Sequence, residues 1–293
     1  MRFRRQCVLI VGCGDVGQRA ASALPGRVRV LALTSSAARH AELRARGITP
    51  LAGNLDHPDT LQRLAGLADR VLHLAPPPAE GTDDPRTRAL LQALWRRSPP
   101  VALVYGSTSG VYGDCGGAWI DETRAPQAGT ARAQRRVAAE QALRFFGRGT
   151  GVRSSILRIP GIYAADRAGG TPRERLQRGT PALSPEDDVY TNHIHADDLA
   201  RACLAALWRG APQRVYHASD DTELKMGDYF DLAASLYGLP RPARISRAQA
   251  REQLPPMLLS FMSESRRLHN HRLKRELRLR LRYPTVKSGL RGG

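Results

Sequence analysis

Short continuous apolar runs recur along this chain. Between them lie stretches whose apolar residues return every three or four positions. The first run is Cys7-Val8-Leu9-Ile10-Val11; others are Val28-Arg29-Val30-Leu31-Ala32-Leu33, residues 48–52, 70–75, 101–105, 152–159 and 214–219. A continuous run of this length reads as a strand buried on both faces, the condition met in parallel sheets covered by helices. Helical periodicity predicts helices from residue 18 to 24, over 37–46, in a short segment opening at Asp59, over 87–96, along 130–141 and over 226–237, the last ended by Gly238 and Pro240. Strands alternating with helices at this spacing predict an α/β fold, a doubly wound parallel sheet. Residues 164–188 turn to Gly, Pro, Arg and Asp and read as an excursion away from the sheet.

The first strand runs into Gly12-Cys13-Gly14-Asp15-Val16-Gly17, a G-x-G-x-x-G loop that opens a helix. In that position Gly12 permits the tight turn, Gly14 lets a pyrophosphate approach the backbone, and Gly17 lets helix and strand pack closely. The helix start, with Asp15 and Val16, offers unpaired N–H groups to an anion. The loop therefore predicts a dinucleotide site. Sites that prefer NAD place Asp or Glu after the second strand; this chain has Thr34-Ser35-Ser36-Ala37-Ala38-Arg39. The hydroxyls of Thr34 and Ser35 and the Arg39 guanidinium suit a 2′-phosphate, so NADP is expected and NAD is second choice. Ser35 or Ser36 capping the next helix is the simpler alternative, and both can hold.

The fifth strand feeds Gly106-Ser107-Thr108-Ser109-Gly110-Val111-Tyr112-Gly113-Asp114. Ligands of doubly wound sheets lie beyond the carboxyl ends of the strands, so this hydroxyl-rich loop is placed to face a cofactor.

These motifs, taken in order, resemble an extended short-chain dehydrogenase/reductase of the NAD(P)-dependent epimerase/dehydratase type, with a Rossmann sheet. The loop resembles that family's S-S-x-x-V-Y-G, with Thr108 at the substrate-binding hydroxyl position. Gly53-Asn54-Leu55 resembles its adenine-side G-D-L, with Asn for Asp. His73-Leu74-Ala75 resembles its H-L-A strand, Leu157-Arg158-Ile159-Pro160-Gly161-Ile162-Tyr163 its L-R-x-x-G-I-Y, and Asn192-His193-Ile194-His195-Ala196-Asp197-Asp198 its N-x-I-H-x-D-D. The resemblance implies cofactor contacts at Asn54, Leu55, Leu74 and Ala75, a small polar substrate with nucleotide sugars among the candidates, and a homodimer through the helices of the fourth and fifth crossovers.

One departure bears on chemistry. The family carries Y-x-x-x-K with Glu four residues later. Aligning Glu140 puts Arg132 at the Tyr position and Arg136 at the Lys position. A guanidinium keeps its proton and cannot replace a tyrosine base. Arg136 can still donate to ribose hydroxyls. A proton relay would then fall to Tyr112, Tyr163 or water. The chain resembles the atypical members that keep the nucleotide fold and lose the tyrosine.

Composition narrows the alternatives. Formal charge is +18, from 45 Lys and Arg against 27 Asp and Glu. Such a charge attracts nucleic acid non-specifically. The cations are mostly Arg spread along the chain, Lys occurring only at 225, 274 and 287, and no nucleic-acid motif accompanies them, so no specific nucleic-acid partner is expected. Cys7, Cys13, Cys115 and Cys203 lack metal or disulfide spacing, and no metal is expected. Met1-Arg2-Phe3-Arg4-Arg5 before an apolar run mimics a leader, but the run is short and ends in the glycine loop. No apolar run approaches a membrane span. A cytoplasmic protein with no membrane partner is the expectation.

Two lobes are expected: a dinucleotide-binding part over 1–160 and 189–220, and a smaller substrate lobe over 161–188 and 221–293. Arg167, Arg173, Arg175 and Arg178 fall in the excursion, as contacts for an anionic substrate or as ordinary surface arginines. The tail over 265–277 reads as an amphipathic helix capped by Asn270. Function narrows to an NAD(P)-dependent oxidoreductase or epimerase/dehydratase-like enzyme with Thr108, Tyr112 and Arg136 at its centre, or a non-catalytic NADP-binding sensor or interaction module.

Overall fold

The structure, a computed structural model, describes residues 5–291. The leader-like start over 1–4 lies outside the described residues. Strands β1 (Cys7–Val11), β2 (Arg29–Thr34), β3 (Thr49–Ala52), β4 (Arg70–His73) and β5 (Ala102–Thr108) join Arg153–Ile159 and Arg214–His217 in one sheet. Its order is Arg214–His217, Arg153–Ile159, β5, β4, β1, β2, β3, and every pairing is parallel. The order reverses between β1 and β4, where a crevice opens beyond the strand ends.

Both faces of β1 are covered, which is why its sequence is apolar without alternation. Val8 and Ile10 pack with Ala20 of helix α1 (Asp15–Ser22) and with Leu199, Ala202 and Cys203 of helix Ala196–Arg209. Leu9 and Val11 face Leu90 and Leu94 of helix α3 (Pro85–Trp95) and Leu143 and Phe146 of helix α4 (Ala131–Thr150). Helix α2 (His40–Ala45) is shorter than the expected 37–46, because residues 37–39 form a 3-10 turn and Gly47 closes it at φ +72°. The Ser36 side chain caps nothing; its N–H instead donates to Thr34 Oγ1 at 3.2 Å.

A second cluster lies beyond the sheet. Tyr229, Phe230, Ala233 and Ala234 of helix Met226–Tyr237 pack with Tyr163, Leu176, Val286 and Leu290. The tail departs from expectation. Only His271–Arg275 is helical, and Arg267–Leu268 pairs with Trp119–Ile120 as a strand. Asn270 does not cap: its amide donates to Ser219 O, Asp220 O and Asp221 Oδ1. Leu273, Leu277 and Leu279 join the core cluster of the main sheet, on the face that carries Val8 and Ile10. The tail ends on a buried acid. Asp198 accepts the Arg282 and Tyr283 N–H groups at 3.0 and 2.8 Å, and Tyr283 stacks on His195 at 3.7 Å.

Candidate functional site

Three glycines shape the crevice. Gly12 has φ +86°, and a Cβ there would lie 2.3 Å from Ala75 N. Gly17 approaches Ile10 and the Gly12 carbonyl, each 3.2 Å from where its Cβ would sit. Gly14 meets nothing within 4 Å, so its surface is open. A side chain there would fill the open space beside the first turn of α1, whose N–H groups can receive an anion. The loop cysteine is inert: burial pushes the Cys13 thiol up to about 11.

Two hollows flank this loop. One, of about 420 Å³, is walled by Gly12, Gly14, Thr34, Ser35, Arg39, Asn54, Leu55, Leu74 and Ala75. The other holds Gly12, Gly14, Asp15, Val16, Gly17, Thr108 and Arg136. All twelve residues expected at the cofactor from sequence therefore border one or other of these two hollows, which meet at Gly12, Gly14 and Leu74. Arg39 reaches over the loop, with Nη2 donating to Cys13 O at 2.7 Å and Nε 3.5 Å from Glu42. Asp56 also borders the first hollow, where Arg86 holds it through two bonds of 2.7 and 2.6 Å. That pairing keeps the Asp56 carboxyl below the usual range. Arg86 also donates to Pro76 O and Pro77 O, so it straps the lip of the cleft.

Thr108 ends β5. Its Oγ1 accepts from Gly110 N at 3.2 Å and starts the 3-10 turn Ser109–Tyr112. Arg136 approaches from α4, with Nη1 donating to Gly106 O at 2.8 Å and Tyr105 Oη at 3.0 Å. Thr108 and Arg136 thus share one wall, as expected. Tyr112 does not join them. It is fully buried, and its hydroxyl donates to His217 Nε2 at 2.5 Å. The partner's tautomer follows from His217 Nδ1 facing the His269 carbonyl at 2.9 Å, which requires Nδ1 to be the donor. Burial pushes His217 down to about 3 and Tyr112 up to about 12, so the pair stays neutral. A proton relay through Tyr112 is therefore overturned by its packing. Tyr163 is buried too; its hydroxyl donates to Thr285 O at 3.2 Å.

Beneath Thr108 lies a buried ion pair. Arg158 bonds Glu140 at 3.1 and 2.7 Å, Ser107 Oγ donates to Glu140 Oε1 at 2.6 Å, and Arg158 stacks over the Tyr112 ring at 4.6 Å. The pair fixes the end of β5 to α4 and to Arg153–Ile159.

Past Thr108 the cleft widens into a cavity of about 710 Å³ bordered by Thr108, Arg132, Arg135, Arg136, Glu264 and Arg266, among others. Glu264 is held by Arg266 Nη1 at 2.8 Å. A further hollow of about 500 Å³ adjoins it and contains Arg175, Arg178, Tyr163 and His193. Of the excursion arginines, Arg175 and Arg178 line this hollow. Arg167 turns toward the glycine loop, 3.4 Å from Asp15, and Arg173 stacks on Tyr237 at 4.1 Å. Burial lowers Arg175 to about 10. Sequence reading missed Arg86, Arg135, Glu264 and Arg266. No local pattern marks them, because each reaches the cleft only through tertiary folding.

Comparison with known proteins follows the same outline. The NAD dependent epimerase/dehydratase family matches residues 8–218. A conserved protein of unknown function from Silicibacter pomeroyi is 30% identical, with TM-score 0.80, covering 98% of this chain and 97% of that one. UDP-glucose 4-epimerase from Thermotoga maritima, solved with UDP-glucose, is 17% identical with TM-score 0.79, covering 98% and 96%. UDP-glucuronic acid 4-epimerase from Bacillus cereus, solved in complex with NAD, is 17% identical with TM-score 0.76, again covering 98% and 96%. A search of curated proteins finds no match.

Proposed function

Because the chain belongs to the NAD dependent epimerase/dehydratase family, we propose that it is an NADP-dependent oxidoreductase or epimerase-like enzyme acting on a small polar substrate, nucleotide sugars being the first class to test. The observation that carries this reading is the continuity of the cleft, from the open Gly14 surface past Thr108 and Arg136 into the adjoining cavity. The residues present fit a dinucleotide: a glycine cradle, free N–H groups and an adenosine-side hollow. The dinucleotide supplies hydride acceptance and donation when bound. Thr108 would hold the reacting hydroxyl of the substrate, and Arg136 would donate to ribose hydroxyls. In this reading Arg132 and Arg136 stand where the family has Tyr and Lys. Since a guanidinium cannot act as the base, the hydroxyl proton passes to Glu264, the carboxylate bordering the Thr108 cavity.

Arg39, Thr34 and Ser35 support NADP over NAD. A fluorescence titration is expected to show NADPH binding at least tenfold more tightly than NADH, and Arg39→Ala should close most of that gap. Equal affinity for the two in the native chain would remove the preference. A second reading, a non-catalytic NADP-binding module, is favoured by the burial of both tyrosine hydroxyls. It predicts NADPH binding with no turnover of any carbonyl or sugar-nucleotide substrate. Turnover lost in Thr108→Ala decides for the enzyme.

A homodimer through α3 and α4 belongs to the same proposal. Trp95 and Phe145 are 43% and 66% exposed, their rings 6.2 Å apart on the outer face of these helices. Apolar surface so placed suits a self-complementary contact. Light scattering is expected to give a dimer mass for the native chain and a monomer mass for Phe145→Asp. A monomeric native chain would end this part of the reading.

A further inference from the structure

Three arginines on adjoining turns of α4 face one cavity, and none of them pairs with a carboxylate; Glu264, which also borders it, is held by Arg266. Arg132, Arg135 and Arg136 all border the hollow that Thr108 also borders. Two other arginines there are neutralised, Arg86 by Asp56 and Arg266 by Glu264. The α4 group meets only neutral partners. Arg132 lies over the Phe261 ring at 4.9 Å. Arg135 donates to Gly81 O at 2.5 Å, and its Nε has no hydrogen-bond partner although the residue is 8% exposed. Arg136 donates to Gly106 O and Tyr105 Oη. Among the described residues no carboxylate lies within ion-pair distance of any of the three.

Such an arrangement is unfavourable in the free protein. Like charges at i,i+4, here Arg132 and Arg136, repel. A buried guanidinium nitrogen without a partner adds a desolvation cost. A bound anion relieves both, and its charge can be judged. A carboxylate supplies one negative charge against three guanidinium groups, whereas a phosphate ester supplies nearly two, with three acceptor oxygens that suit forked donors.

We propose that this cavity binds a phosphoryl group of the substrate beside its reacting carbon, with Arg132 as the principal contact. The inference deepens the reading of the cleft as a dinucleotide-dependent site, on which it rests. It narrows the substrate to phosphorylated small molecules whose phosphate lies close to the carbinol or carbonyl held by Thr108. The phosphoryl site is distinct from the Arg39 end of the cleft, since the two hollows share only Pro76 and Arg86 among their lining residues.

The test is calorimetric titration of inorganic phosphate into the full chain saturated with NADPH, at low salt. The native protein is expected to bind one phosphate. Arg132→Ala should weaken binding at least tenfold, and Arg132→Lys should fall between, keeping the charge but losing the fork. Arg251→Ala, at an exposed arginine that does not line the cavity, should bind as the native chain does, with thermal unfolding confirming that each variant is folded. The proposal is overturned if no phosphate binds beside NADPH, if phosphate competes with NADPH and so occupies the glycine loop, or if Arg132→Ala and Arg251→Ala behave alike. Failure of NADPH to bind would instead remove the functional reading. The phosphate titration of the free protein then still decides whether Arg132 holds an anion.

Discussion

Glu140→Ala is expected to lower the unfolding free energy by roughly 3–5 kcal/mol, because it strands a buried guanidinium. Arg158 is 2% exposed, its Nη1 already lacks a hydrogen bond, and Glu140 is the carboxylate that pairs it, the Tyr112 ring offering only a stacking contact. Ser107 Oγ would lose its acceptor in the same change. The loss should appear in urea denaturation as a fall in midpoint with little change in slope. Glu140→Gln, which keeps the shape and one acceptor, should fall between. Removing both partners with apolar replacements should restore much of the loss. If Glu140→Ala unfolds at the native midpoint, the pair does not hold the end of β5.

The second large effect separates two glycines of one loop. Gly12→Ala pushes a methyl to 2.3 Å from the Ala75 backbone at φ +86°, and strain plus overpacking should cost roughly 2–5 kcal/mol. Gly14→Ala meets no atom within 4 Å, so it should fold with native stability. In the proposed dinucleotide site its methyl would stand in the path of the pyrophosphate, and NADPH affinity should fall at least a hundredfold. Thermal unfolding and fluorescence titration of the two variants read these effects independently. Native NADPH affinity in Gly14→Ala would mean that the dinucleotide does not cross this loop.

Most of the main sheet was legible because its strands are covered on both faces. Val8, Leu9, Ile10 and Val11 each bury a side chain, so the run shows without alternation. The meeting of residues 12–17, 34–39 and 53–55 around the glycine loop was legible for a related reason: each segment follows a strand end directly, and local order places it. The tail was opaque. Its core leucines at 268, 273, 277 and 279 are separated by arginines and histidines whose stems lie along the surface, and the spacing imitates one amphipathic helix. Tyr112 misled for the opposite reason. It sits in a loop of hydroxyls that faces the cleft, yet its partner His217 comes from a strand far along the chain. Glu264 and Arg266 had no local signal, since residues flanking Arg267–Leu268 reach the cleft only through that strand's pairing with Trp119–Ile120.

The packing of Leu273, Leu277 and Leu279 against the face of the sheet that carries Val8 and Ile10 has a consequence for synthesis. Helix His271–Arg275 lies against strand Arg214–His217, so that strand stays uncovered on this side until residues 271–279 have been made. At ordinary elongation rates that interval is roughly 3–12 s. Throughout it the nascent chain shows a greasy seam, on which Leu273, Leu277 and Leu279 will each later contribute roughly 1.5–3 kcal/mol. A ribosome stalled shortly before the tail would therefore hold a sheet with its order already set but one side unsealed, which is the form a chaperone would be called on to shield.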